Sequence, residues 1–440
     1  MSELTANEIW ERQKQTIPGG VMSLNRVMDP MRVFVRAKGA YLWDHEGRRY
    51  IDYHAAFAPY LLGHGDEDVD EAVVETIRSG ASLMGAGTTP WEGEIAELLV
   101  ECVPGLEQLQ LTNSGSEAAA FALRLARAAT GRDNVVLMQG GYNGWMDYVA
   151  FNLMDPAETV EKHVPGETYQ LRPITAGIPS AVQNTVKVVE FNDLQAAEAV
   201  LSGGDIAAII LEPILQNVGI VKPKPGYLEG LREICDRFGT VLIFDEVKTG
   251  FRHGLGGYQA LSGITPDLSI FGKAVANGYP VGVVGGKSEI MSYCHHEDPA
   301  RRVMIAGTYN AHPFTVASAR ATLNKLKHGE AEIYGKLEAL GARMEAGLNE
   351  ILRPRNYPTK VVRQGSAFVV YFMDHEPENW RDIVLNHDSA RDVAYRKALI
   401  EQGVFQFPVT TKQGSISFAH TEQDIDETLE ITQRVVNALD

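Results

Sequence analysis

Two short apolar runs in this chain each end on one charged side chain. Residues 241–244 (VLIF) deliver Asp245, and residues 268–272 (LSIFG) deliver Lys273. Both runs have the length and branched composition of buried strands. In parallel α/β sheets, ligands sit beyond the carboxyl ends of the strands, so the two charges are expected at one site. A carboxylate behind four apolar residues is costly to bury unless a cation faces it, and a protonated ring nitrogen is such a cation. An amine held where its neutral form is favoured is a nucleophile toward an aldehyde. A small molecule with both a basic ring nitrogen and an aldehyde is pyridoxal 5'-phosphate (PLP), whose ring draws off electrons while that nitrogen stays protonated.

Other chemistry fits these residues less well. A nucleotide P-loop ending in Gly272-Lys273 would need glycine at position 267 and Ser or Thr at 274, where the chain has Asp267 and Ala274. Without that loop, Asp245-Glu246 loses its meaning as a nucleotide-metal pair, although a metal ligand or a helix cap stays open for Asp245 alone. No GxGxxG follows an early strand, which argues against a nicotinamide site. Lys248 lies three residues past Asp245 on the same strand exit and competes with Lys273 for the aldehyde. Aldehyde and ring nitrogen point in opposite directions across the ring, so an amine from another strand meets the geometry better.

A third element is LTNSGSEAAAFALRLAR at 111–127. A strand runs into Ser114-Gly115-Ser116, and a helix begins at about Glu117. Free N–H groups at a helix start, two hydroxyls and a glycine make a phosphate cradle, although Ser-x-Ser-Glu is also an ordinary helix cap. At 139–145 (QGGYNGW) a strand end presents Tyr142 between glycines, where an aromatic face could stack on a ring.

The elements that must position these residues alternate from about residue 66 to 310. Helical pattern is expected at 117–130 and 227–239, and strands at 134–138, 206–213, 241–247 and 281–286. That alternation predicts an α/β fold with a mostly parallel sheet flanked by helices. Residues 41–53 read as a hairpin. Beyond about 315 the pattern becomes long helices with isolated strands at 367–373 and 414–419 and a final amphipathic helix. The expected division is an N-terminal segment of a small domain (1–65), a large cofactor-binding domain (66–315) and a C-terminal α+β part of the small domain (316–440).

The 440 residues carry 57 acidic and 40 basic side chains, a formal charge of −17 that disfavours nucleic acid or an anionic membrane as partner. Cys102, Cys235 and Cys294 are scattered without metal or disulfide spacing. With no signal-like N-terminus and no apolar run of membrane-spanning length, the expectation is a soluble cytoplasmic protein without a metal.

These blocks, in this order, resemble the class III, fold-type I PLP-dependent aminotransferases, in particular the branch of glutamate-1-semialdehyde aminomutase and its amino-acid and amine transaminase relatives. The resemblance runs from IPGGVMSLNR (17–26) through LLGHG (61–65), NSGSEA, GYNG, LEPI (211–214), DEVKTGFR, FGKAVANG and GTYNAHP (307–313) to SFAHTEQDID (417–426). It implies that Lys273 forms the Schiff base and carries the proton, and that Asp245 is the pyridinium partner. It also implies that Ser114, Gly115 and Ser116 hold the phosphate, with Thr308 reaching the phosphate of the neighbouring subunit of a homodimer. Tyr142 and Val247 would take the two ring faces, Asn217 would lie near the ring hydroxyl, and Glu212 would stand behind them. Arg26, Ser23 and Phe57 would line the substrate mouth; Tyr60 and Trp91 could extend its apolar wall, and Arg252 reads as structural. The implied activity is ping-pong transamination between an amine or amino acid and an oxo acceptor. The alternatives are an aminomutase or racemase, or a non-catalytic protein that kept the cofactor.

Three positions depart from the family pattern. Asn143 stands where the family usually has His, and Lys248 where Gln or Met is common. Lys412 stands where the aminomutase branch tends to carry an acid, which argues against aminomutase activity.

Overall fold

The computed structural model describes residues 4–439. Near the N-terminus, β1 (Phe34–Lys38), β2 (Tyr41–Asp44) and β3 (Arg49–Asp52) form an antiparallel sheet. The expected hairpin is β2–β3, with Trp43 opposite Arg49.

The central layer is a seven-stranded sheet. Its strands are β4 (Gln108–Thr112), β5 (Asn134–Met138), β6 (Val186–Val189), β7 (Ile206–Leu211), β8 (Val241–Asp245), β9 (Leu268–Gly272) and β10 (Gly282–Gly286), in the spatial order β4-β10-β9-β8-β7-β5-β6. From β6 to β9 every pairing is parallel, whereas β10 runs antiparallel to both β9 and β4. Strands β7, β8 and β9 are buried throughout, as their unbroken apolar runs require when both faces are covered. Glycine lets β10 fit between its neighbours: a Cβ at Gly282 would lie 2.2 Å from the Ser114 carbonyl oxygen and the Thr112 hydroxyl.

The helix Gly115–Thr130 lies on this sheet through Ala118, Ala119, Ala122 and Ala126, all fully buried, so the backbone approaches the strands closely. Ser114 caps it, its Oγ accepting from the Glu117 N–H at 3.3 Å, and Gly131 ends it. Two long helices, Pro313–His328 and Glu330–Leu352, follow the sheet. The C-terminal strands are β11 (Lys360–Gln364), β12 (Ala367–Tyr371), β13 (Val404–Phe405) and β14 (Gly414–Ser415). Strand β13 pairs in parallel with β3, Val404 beside Ile51, and so joins the two ends of the chain in one sheet. Among the described residues no helix is long and apolar enough to cross a membrane.

Candidate active site

Strands β8 and β9 are parallel neighbours, with Asp245 in register with Ile270. Asp245 is the last residue of β8 and Lys273 follows the last residue of β9, so both leave the sheet at the same edge. Beyond that edge lies a cavity of about 290 Å³. Lys273 and Asp245 line it together with Ser114, Gly115, Ser116 and Tyr142. Glu212, Asn217 and Val247 complete the set expected from sequence. One chain therefore gathers at a single cavity every cofactor residue expected from sequence except Thr308, which is exposed and does not line it.

Asp245 is buried. Its Oδ2 accepts from Asn143 Nδ2 at 2.8 Å and its Oδ1 from the Val247 N–H at 3.0 Å, both neutral donors. Burial, reinforced by the nearby charge of Glu212, pushes its pKa up to about 7, while Asn143, Val247 and the charge of Lys273 oppose the rise. A buried carboxylate with no bonded cation is a receptor for a cationic ring nitrogen. Glu212 ties two loops together, accepting from the Tyr142 N–H at 3.0 Å and the Gln216 N–H at 2.9 Å.

Lys273 begins a short 3₁₀ turn with φ of +47°, a left-handed conformation that is rare for a residue with a side chain. The turn is pinned at its other end by Asn277, which accepts from the Leu62 N–H and donates to the Gly63 carbonyl, both at 3.0 Å. Burial lowers the basicity of the Lys273 amine, while the charges of Asp245 and Glu212 pull the other way. Among the described residues the Lys273 amine makes no hydrogen bond. Lys248, its rival, donates Nζ to the Gln216 carbonyl at 2.6 Å and is thereby committed to the backbone.

The N–H groups of Gly115 and Ser116 open the helix and donate to no partner among the described residues, which leaves two donors and the helix N-terminus at the cavity. Glycine at position 115 avoids a close contact, since a Cβ there would meet the Val247 methyl carbons at 2.7 and 2.8 Å. The donor set thus fits PLP: a phosphate cradle at Ser114–Ser116, a carboxylate for the ring nitrogen, and an unengaged amine for the aldehyde.

The proposed substrate residues are not gathered with this set. Arg26 and Phe57 line a separate cavity of about 450 Å³ with Met28, Met31 and Phe407. Phe57 is drawn there by ring contacts, its centroid 4.3 Å from His54 and 5.6 Å from Phe407. Ser23 lines neither cavity, its hydroxyl donating to Asn25 Oδ1 at 2.5 Å. Trp91 lies in another cavity, beside Val316 and Arg320 of the helix Pro313–His328. Tyr60 packs on His64, and the expected structural role of Arg252 matches its buried bond to the Ala58 carbonyl at 2.7 Å.

Two residues that the sequence marked only as departures from the family pattern, Asn143 being expected close to the cofactor, have specific partners here. Asn143 stood out only as a departure from the family, yet it is the side chain that orients Asp245. Lys412, 167 positions after Asp245 in the chain, reaches the Asn217 carbonyl with Nζ at 2.9 Å.

Comparison with known proteins agrees with this geometry. The family model described as aminotransferase class-III matches residues 23–436. A glutamate-1-semialdehyde 2,1-aminomutase of Pelotomaculum thermopropionicum is 36% identical over 436 residues, covering 98% of this chain and 96% of its own. Among solved structures, an omega-transaminase from Sphaerobacter thermophilus superposes with a TM-score of 0.89 at 31% identity, over 99% of this chain and 98% of that one. A glutamate-1-semialdehyde-aminomutase from Pseudomonas aeruginosa, in complex with PMP, gives 0.87 at 27% identity, over 99% and 94%.

Proposed function

The chain belongs to the class-III aminotransferases and is a PLP-dependent enzyme of fold type I, and from that premise we propose that it is a transaminase, moving an amino group from an amine or amino acid to an oxo acid, ketone or aldehyde in two half-reactions. The observation that carries amino-group chemistry is the pairing of a half-buried Lys273 with a buried Asp245 at the ends of adjacent strands, with one cavity lined by both.

PLP, when bound, supplies an aldehyde that holds amines and a ring that accepts electrons. The chain does the rest. Asp245 holds positive charge at the ring nitrogen end, and Asn143 fixes the direction of its carboxylate. The N–H groups of Gly115 and Ser116, with the Ser114 and Ser116 hydroxyls, grip the phosphate. Lys273 Nζ, kept weakly basic by burial, acts first as nucleophile and then as the atom that takes a proton from the donor's α-carbon and delivers it to the carbon that was the aldehyde. Val247 and Tyr142 confine the ring between them. We place Thr308 at the phosphate of a second copy, which makes the working enzyme a homodimer, and read it as cytoplasmic in keeping with three free cysteines.

A second reading is an aminomutase, which shifts the amino group within one molecule, and the name of the relative from P. thermopropionicum favours it. What supports the transaminase is Lys412, a basic group bonded to the loop that lines the cavity, at a position where the resemblance leads one to expect an acid. Dependence on a second substrate separates the two. Turnover that requires added pyruvate or 2-oxoglutarate marks a transaminase, and conversion of a single amino-oxo substrate at full rate without any acceptor would overturn that reading. In either case Lys273→Ala is expected to abolish turnover.

A further inference from the structure

Away from the cofactor cavity, one buried acid has no part in the chemistry above. Glu190 directly follows β6, the edge strand of the central sheet, and is only 5% exposed. Its Oε2 accepts from the Tyr169 hydroxyl, and its Oε1 has no hydrogen-bond partner among the described residues. Tyr169 is the only buried residue of positions 161–177, a stretch with no helix and no strand beyond a single bridge at Pro173. Its N–H donates to the Val188 carbonyl of β6 at 2.8 Å, and the ring of His163 stacks on its own at 3.6 Å. A stretch anchored by so little buried surface opens locally at low cost.

Among the described residues no cation pairs with this acid. Arg381, on the helix Trp380–Asn386, acts on Glu190 through its charge but makes no ion pair with it, and places Nε on the Val160 carbonyl at 3.1 Å. Asp193 adds negative charge, while its oxygens hold the Ala196 and Gly166 N–H groups, both at 2.9 Å. Asp155 and Glu167 bring more of it near Tyr169 and His163. Tyr227, on the helix Tyr227–Phe238, turns its hydroxyl to Met138 Sδ. Burial lowers the basicity of His163, so the stacked imidazole adds no charge near neutrality. Burial pushes Glu190 up to about 7, against the Tyr169 bond, the Phe191 N–H and the charge of Arg381. Above that pH the fold has to bury an unpaired carboxylate.

The stretch is tied to the cofactor loop through Asn152. Asn152 Nδ2 donates to the Gln170 carbonyl at 3.0 Å, and its Oδ1 accepts from the Arg172 N–H at 2.9 Å. The Asn152 carbonyl accepts from the Gly140 N–H at 2.8 Å. Gly140 lies two residues before Tyr142, which lines the cavity, and three before Asn143, which orients Asp245. We propose that the Tyr169–Glu190 bond is a pH-sensitive latch: with Glu190 protonated it holds residues 161–177 on the sheet edge, and with Glu190 ionised the stretch lifts and the loop of Tyr142 and Asn143 loosens with it. The latch serves a transaminase and an aminomutase alike.

Hydrogen exchange of the holoenzyme, read by mass spectrometry and corrected for the intrinsic effect of pH, tests it. Peptides covering 161–177 are expected to exchange about tenfold faster at pH 8.5 than at pH 6, the linkage expected when a carboxyl at about 7 in the closed state returns to 4.5 in the open one. In Glu190→Gln, whose amide still accepts the Tyr169 bond but does not ionise, that rise disappears. Tyr169→Phe keeps the ring and loses the bond, and at pH 6 its peptides are expected to exchange at least about threefold faster than wild type. Relative to PLP-free protein, bound PLP slows the same peptides at least about tenfold beyond any change in the helix Glu422–Leu439, although none of residues 161–177 lines the cavity. Wild-type exchange that does not rise with pH, or an equal rise in Glu190→Gln, overturns the latch. A Tyr169→Phe variant as slow as wild type does so too, whether or not Glu190→Gln folds. Exchange that ignores PLP overturns the link to the cofactor loop.

Discussion

At Asp245, two neutral donors hold a carboxylate that burial and Glu212 push up to about 7 from 3.8. In the cofactor-free protein the folded chain therefore keeps a proton that the unfolded chain releases between those values, so stability falls as pH rises through that window. Asp245→Asn removes the titration. The loss of stability between pH 5 and pH 8, measured by urea unfolding of cofactor-free protein, is predicted to be smaller in the variant than in wild type, by on the order of a few kcal/mol. Lys273 acts with the opposite sign: its lowered pKa means that stability rises with pH in the range just below its ordinary value of 10.5.

The elements work by close approach. At Gly115 the helix would gain about 1 kcal/mol in propensity from alanine, yet the Cβ would press on Val247 at 2.7 Å. Gly115→Ala is predicted to weaken PLP affinity at least about tenfold, read by cofactor titration; unchanged affinity would show that this contact relaxes freely. Residues Ala55–Ala58 form a left-handed turn with φ from +46° to +78°, held by Asp52 Oδ1 on the Ala55 N–H and by Arg252 on the Ala58 carbonyl. At exposed Ala56, glycine is predicted to raise stability by up to about 1 kcal/mol, seen as a higher Tm. The strands that carry Asp245 and Lys273 were legible because burial on both faces leaves an unbroken apolar run with one charge at its end. The left-handed turn was not, because it is built of three alanines and Phe57 where glycine would have signalled it. The placement of Arg26 and Phe57 depended on how the N-terminal segment packs against Phe405 and Phe407, a long-range contact that no local pattern encodes.

At the scale of the whole molecule, parallel pairing of β3 with β13 binds the chain's two ends, and Lys412 of the C-terminal segment bonds to the carbonyl of Asn217, a residue that lines the cavity. If Thr308 serves a second copy as proposed, the holoenzyme is predicted to sediment at twice the 48.3 kDa of one chain; a monomer with full activity would contradict that. The central claim is that one cofactor is gripped by Lys273 at its aldehyde and by Asp245 at its ring nitrogen. Borohydride reduction of the holoenzyme followed by peptide mass mapping tests it most directly. The account predicts a pyridoxyl group on Lys273 alone, and the same group on Lys248, or on no lysine, would contradict it.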